Sequence, residues 1–216
     1  TSQTATYTFK NWNNATAGNG SYTYTNGQTV TNPNGATSGT TYLYAQWNSA
    51  SVKLPTATLP GYTFLGWYDA ATGGNKIGGA GDSYTPTAAK TLYAHWSANA
   101  ITVKFSGNGA TSGSMTDQVF TYDTAQALKS NGFSRAYTVT YNGNFAGKTP
   151  TLGATSQTAT YTFKNWNNAA AGNGSYTYTN GQTVTNPNGA TSGTTYLYAQ
   201  WNSASVKLPT ATLPGY

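Results

Sequence analysis

The sequence predicts a mainly β protein, an α+β chain of small sheet modules in tandem, each long module carrying one short helix. Three observations predict it. Thr, Asn, Gly, Ser, Ala and Tyr dominate the composition; Thr and Tyr suit half-exposed strands, while Gly and Asn suit tight turns. One aromatic phrase recurs three times, opening with Tyr-Thr-Phe-x-x-Trp and closing with Leu-Tyr-Ala-x-Trp. Residues 1–62 return as residues 155–216 with a single difference, Thr16 against Ala170. Such long periods signal strung-out or stacked modules.

The three phrases account for every tryptophan. They run from Tyr7, Phe9 and Trp12 to Leu43, Tyr44 and Trp47; from Tyr62, Phe64 and Trp67 to Leu92, Tyr93 and Trp96; and from Tyr161, Phe163 and Trp166 to Leu197, Tyr198 and Trp201. Tryptophan covers more apolar area than any other side chain, so its placement marks where a core is fixed. Phe64, Trp67, Leu92 and Trp96, with their counterparts, are the expected structural anchors.

In residues 1–49, the alternation from Thr4 to Phe9 reads as a strand and residues 13–20 as turn material. Residues 21–25 lead into Asn26-Gly27, a hairpin signal because both residues tolerate positive φ. Asn32-Pro33-Asn34-Gly35 interrupts the chain, and residues 41–47 form the closing strand. Its period of two places Leu43, Ala45 and Trp47 on the core side, with Tyr42, Tyr44 and Gln46 opposite. Residues 50–98 are a compact version, with strands at 62–67 and 91–96 around a glycine-rich stretch. A segment of that size without metal or disulfide is marginal alone and is expected to pack on a neighbour.

Residues 99–203 are the long version. They open with a strand at 101–105, a turn through Gly107-Asn108-Gly109, and a second strand at 118–122. Residues 124–131 carry a helix signal, with Asp123 as N-cap and Asn131-Gly132 as the left-handed stop. Residues 137–141 alternate before the third phrase begins, and residues 204–216 start another compact unit.

These residues resemble the internalin-type B repeat, or Listeria–Bacteroides repeat, of bacterial surface proteins. Val103-Lys104-Phe105-Ser106-Gly107-Asn108-Gly109, the run from Phe120 to Leu128, Gly61-Tyr62-Thr63-Phe64-Leu65-Gly66-Trp67-Tyr68 and Leu92-Tyr93-Ala94-His95-Trp96 carry the likeness. The resemblance implies a β-grasp-like module strung in tandem on large extracellular proteins. An insertion around residues 137–158 of the long unit, and the lack of an opening hairpin and helix in the compact unit, depart from that pattern.

Charged residues make up only 6% of the chain, far below the roughly 25% of average soluble proteins. The net charge is +6, but no two basic residues adjoin, which argues against a nucleic-acid stripe. With no cysteine there is no disulfide framework, and no apolar run is long enough to span a membrane. His95 is the lone histidine, and Gln46 and Gln200 hold its place in the other phrases, so it reads as a polar outward strand residue. The four acids, Asp69, Asp82, Asp117 and Asp123, are too scattered for a calcium site, and Asp69 and Asp82, the only acids of the compact unit, read as turn residues capping their own backbone rather than as a carboxylate pair. Gly18-x-Gly20 and Gly107-x-Gly109 lie in turns without the βαβ context of a phosphate site. A Lys–Asn isopeptide bond would need a buried acid beside it.

The expectation is therefore a chain with no catalytic, cofactor-binding or metal-binding residue: a stalk or spacer segment of a bacterial cell-surface adhesin, located extracellularly. Its partners would be neighbouring repeats of the same chain, with no nucleic acid and no membrane span in this segment. The alternatives are a repeat binding cell-wall or host glycans or proteins through tyrosines such as Tyr22, Tyr24, Tyr42 and Tyr44, and a self-associating filament or sheath subunit.

Overall fold

The computed structural model describes residues 2–215. Thr1, and Tyr216 at the end of the expected 204–216 unit, lie outside them. The chain divides into two compact units, residues 1–58 with 64–96 and residues 59–63 with 97–216.

The second unit is built on a five-stranded sheet. Its order is Gln118–Thr121, Ala100–Ser106, Gly193–Trp201, Phe163–Asn167, Thr177–Tyr178. Ala100–Ser106 and Gly193–Trp201 run parallel, from Gly193 opposite Ile101 to Tyr198 opposite Ser106; the other pairings are antiparallel. Alternation fixes which face is buried. Ile101 and Val103 from one strand, Phe120 from the next, Trp166 and Leu197 are all sealed from solvent. Phe105, Phe133 and Phe163 pack against that cluster. A separate three-stranded sheet joins Ser112–Gly113, Phe133–Thr140 and Ser156–Tyr161, so the chain around 137–158 forms a hairpin and its loop.

The helix expected at 124–131 is not formed. Gln126–Ala127 is instead a short strand paired with Thr183–Val184. Asp123 takes φ 58°, a left-handed turn rather than an N-cap, and its amide donates to Asn186 Oδ1 at 2.7 Å. The amide of Leu128 donates to Gln182 O at 2.9 Å, and its side chain is buried in the core. So short a helix is barely favoured in isolation, and sheet pairing plus burial of Leu128 outweighs it. The fold is therefore mainly β, without the helix of an α+β module. Its helical content among the described residues is two single 3₁₀ turns, Pro33–Gly35 and Pro187–Gly189. No helix among those residues is long and apolar enough to cross a membrane.

The first unit holds a three-stranded sheet, Thr23–Tyr24, Thr8–Asn13, Tyr44–Asn48, and most of a second one, Lys76–Gly78, Tyr62–Tyr68, Tyr93–Ala98. The Tyr7 hydroxyl donates to the carbonyl of Pro86, and a groove of about 640 Å³ between residues 2–7 and the compact segment is lined by Tyr7, Leu54, Trp67 and Tyr84. Asn26-Gly27 turns the chain as expected, with Gly27 at φ 71°. Its arms do not pair with each other, however: Thr23–Tyr24 pairs with Thr8–Asn13.

Gly66 shows why the compact phrase needs glycine where the others have asparagine. The register shifts between Trp67 and Tyr68, Gly66 adopts φ 133°, and a Cβ there would lie 2.8 Å from the carbonyl oxygen of Gly78. Only glycine holds that conformation without strain. Gly66→Ala should cost about 1–3 kcal/mol through strain and a displaced strand, read as a lowered denaturation midpoint with the slope unchanged.

Candidate functional site

Each phrase brings three rings together on its sheet. Phe9 lies 5.4 Å from Trp12 and 6.0 Å from Trp47, ring centre to ring centre. Phe64 lies 5.6 Å from Trp67 and 5.2 Å from Trp96, and Phe163 lies 5.1 Å from Trp166 and 6.1 Å from Trp201. The pairs meet tilted or edge to face, the arrangement aromatic quadrupoles favour. The expected anchors are thus assembled in all three phrases, with Leu92 half-buried near them.

Local hydrogen bonds repeat with equal fidelity. Asn13 is buried at the end of the opening strand. Its Oδ1 accepts from the amides of Ala15 and Gly20, and its Nδ2 donates to Thr23 Oγ1 and Gly20 O. Asn167 makes the same four bonds to Ala169, Gly174 and Thr177. The Tyr24 hydroxyl accepts from the amide of Asn34, and the Tyr178 hydroxyl from that of Asn188, with both asparagines in the left-handed region. Burial pushes the Tyr178 phenol up from its ordinary value.

The place shared by Gln46, His95 and Gln200 is a clasp, a role the sequence reading missed. Gln46 Nε2 donates to Ala15 O and Gln200 Nε2 to Ala169 O, each at 3.3 Å. His95 Nε2 lies 2.9 Å from Ala70 O, and its ring stacks on Tyr68 at 3.9 Å. His95 is therefore half-buried and turned onto the loop that follows the aromatic strand, rather than outward. The polar residue type was legible; its loop partner, a carbonyl 25 residues back in the chain, was not.

Asp69 and Asp82 cap their own turns, as expected. Asp82 Oδ2 accepts from the amide of Gly79, and Asp69 Oδ1 from that of Asn75, both at 2.7 Å. The Asn75 amide, helped by the Lys90 ammonium at 3.7 Å, holds the Asp69 carboxyl below its ordinary value. A depressed pKa means the cap is present above the ordinary carboxylate value near ~4 and is lost as pH falls through the lower folded value. The amide shift of Asn75 should titrate with a midpoint below ~3.9; a midpoint at or above it would contradict the assignment.

Asp117 pairs with Lys104 at 3.2 Å, and Asp123 exchanges two hydrogen bonds with Asn186 while accepting one from the Tyr62 hydroxyl. That last bond raises the Tyr62 phenol. Among the described residues no three His, Cys, Asp or Glu side chains gather as a metal centre would require. Arg135 was not singled out in the sequence; its guanidinium sits 4.7 Å over the Tyr161 ring and 5.6 Å over that of Tyr137.

The first and third phrases differ in what covers them. Trp166 is 0% exposed and Trp12 36%; Leu197 and Ala199 are buried, whereas Trp47 is 58% exposed. In the first phrase the expected alternation holds for Leu43 and Ala45, which are half-buried while Tyr42 and Tyr44 are exposed, but is corrected for Trp47, which is exposed. The ring triad of this phrase forms, but among the described residues no strand equivalent to Ala100–Ser106 pairs with its closing strand.

Near-identical aromatic frames on small sheets, joined by turns rather than around one deep cleft, define a tandem-repeat β protein. The family model of the Listeria-Bacteroides repeat domain matches residues 31–95, so the chain contains that repeat. The chain is also 46% identical over 72 residues to Internalin H of Listeria monocytogenes serovar 1/2a. That stretch is 33% of this chain and only 12% of Internalin H. No solved structure matches the chain.

Proposed function

We propose that this chain belongs to the repeat region of a bacterial surface protein and serves there as an extracellular stalk or spacer. One observation carries the reading: a whole sheet frame, rings, caps and clasps, is stamped out again almost without change, as residues 1–62 and 155–216. A reaction centre needs to occur once; a length-setting element gains from recurrence. The Listeria-Bacteroides repeat and the likeness to Internalin H support a surface location. In this reading the long unit is 99–203, the compact unit 50–98, and the segments 1–49 and 204–216 are parts of further units. No side chain performs chemistry or holds a cofactor, and neighbouring repeats are the principal partners.

Chains of one, two and three repeat periods should grow in maximum dimension by an equal step per period in small-angle X-ray scattering, at every concentration. A dimension that stops growing, or particles that enlarge with concentration, would contradict the spacer role; the latter would favour a self-associating sheath.

A second reading has a specific support. Tyr176 lies nearly parallel to Tyr178, and Tyr196 to Tyr198, with ring centres about 6.5 Å and 6.4 Å apart. Tyr176 and Tyr196 are exposed, a surface suited to stacking on sugar rings. Binding to wall polysaccharide that disappears in Tyr176→Ala/Tyr196→Ala would establish it.

A further inference from the structure

Tension along a chain acts on paired strands in two ways. A pair pulled from one end opens rung by rung. A pair pulled from opposite ends has to slide, and all its rungs bear the load together. The long unit has the second arrangement. Ala100–Ser106 is its first strand and Gly193–Trp201 its last paired one. They lie side by side and parallel over six residue pairs, from Ile101 opposite Gly193 to Ser106 opposite Tyr198. Because both run the same way, the chain enters the pair at one end, through Asn99, and leaves it at the other, through Asn202.

Side-chain ties reinforce both ends of that ladder. At the entry end, Asn99 Nδ2 donates to Thr191 O at 3.3 Å. At the exit end, Asn108 Nδ2 donates to Ala199 O at 2.9 Å and Trp201 Nε1 to Gly107 O at 3.0 Å. Each tie spans more than 90 residues of sequence and joins the flank of the first strand to that of the last. The pair sits inside the five-stranded sheet, with Gln118–Thr121 on one side and Phe163–Asn167 on the other. Ile101, Val103, Leu197 and Ala199 are buried, which closes one face of the ladder to water, the competitor for a stretched backbone bond.

We propose that this parallel pair is a load-bearing clamp. Tension along the chain draws Ala100–Ser106 and Gly193–Trp201 past each other in shear, and the ladder with its Asn99, Asn108 and Trp201 ties keeps the long unit closed. This role rests on the stalk reading, since a spacer that projects a binding region carries whatever force that region meets.

The chain has no cysteine, so two introduced ones fix the points of pulling. Ser97→Cys/Ser203→Cys loads the pair in shear. Ser97→Cys/Ser192→Cys, with both handles toward the entry end, peels it. All three serines are exposed, and equal urea midpoints establish that the two full-length variants are equally stable; should one midpoint fall, Ser205→Cys or Thr191→Cys takes the place of its neighbour. Held in optical tweezers at one fixed load, the long unit should survive at least ~10-fold longer in shear, because several rungs must break together rather than one. Equal lifetimes in the two geometries overturn the clamp. Asn108→Gly keeps the positive φ of 44° at that position and removes one exit-end tie. It should shorten the lifetime in shear and leave unchanged the lifetime in peeling, which starts at the entry end. An equal fall in both would make Asn108 a general stabiliser and overturn its place in the clamp. The scattering series and this comparison fail separately: equal lifetimes leave a spacer without a clamp, whereas dimensions that stop growing remove the spacer and leave the dependence on pulling geometry standing.

Discussion

Trp166→Ala is expected to cost about 3–5 kcal/mol and to unfold much of the second unit at physiological temperature. The same substitution at Trp12, in the same local sequence, is expected to cost about 1 kcal/mol or less. The asymmetry follows from burial. Trp166 is sealed from solvent, with Phe105 at 4.9 Å and Phe133 at 6.3 Å besides its own triad partner. Its removal leaves a cavity that parallel pairing prevents from collapsing. Trp12 faces water on one side, and truncation there loses only part of one ring's contacts. Trp166→Phe separates packing volume from polarity. The indole Nε1 is buried without a hydrogen-bond partner, so the phenyl ring forfeits area but removes an unpaired donor. Its cost should be roughly 1–2 kcal/mol. Urea unfolding of the four chains gives these differences directly, and equal costs at positions 12 and 166 would contradict the assignment of burial.

Asn167→Ala is expected to cost about 2–4 kcal/mol. The side chain closes the turn between the opening strand and Thr177–Tyr178, and its loss leaves the half-buried amides of Ala169 and Gly174 without their acceptor. Each unsatisfied buried donor costs about 1–3 kcal/mol. Asn167→Asp tests the direction of the bonds. The carboxylate still accepts from both amides but no longer donates to Gly174 O and Thr177 Oγ1, so it should recover part of the loss. Asn13→Ala, unlike Trp12→Ala, should resemble its counterpart, because the Asn13 network is equally buried and entirely local. A strong effect at Asn13 beside a weak one at Trp12 is the signature of a phrase that is locally complete and globally uncovered.

That contrast also marks what the sequence could reveal. The strands around Phe9, Phe64 and Phe163, the Asn-Gly turns and the turn-capping carboxylates were legible because each depends on residues a few positions away. The choice of glycine at Gly66 was visible as part of a motif, and its positive φ gives it a cause. Pairings between distant segments were not legible. Residues 124–131 carry an acceptable helix signal, yet Gln126–Ala127 is claimed by Thr183–Val184, far along the chain. Asp123 looked like a cap and serves instead as a left-handed corner bonded to Asn186. Trp47 was placed on a core face by alternation, correctly for its twin Trp201, but alternation cannot say whether a covering strand is present. For the same reason His95 was read as outward: the period places a side chain on a face, while the loop crossing that face is set by tertiary structure.

The central claim is that near-identical phrases share one local frame, and that residues 99–140 alone convert the frame into a core. Backbone amide exchange measured by NMR addresses it most directly, since the duplicated peptides are indistinguishable by mass. Amides of residues 193–197 should exchange far more slowly than those of residues 39–43, while the amides of Ala15 and Ala169, both held by an asparagine side chain, should be comparably protected. Equal protection of 39–43 and 193–197 would contradict the claim.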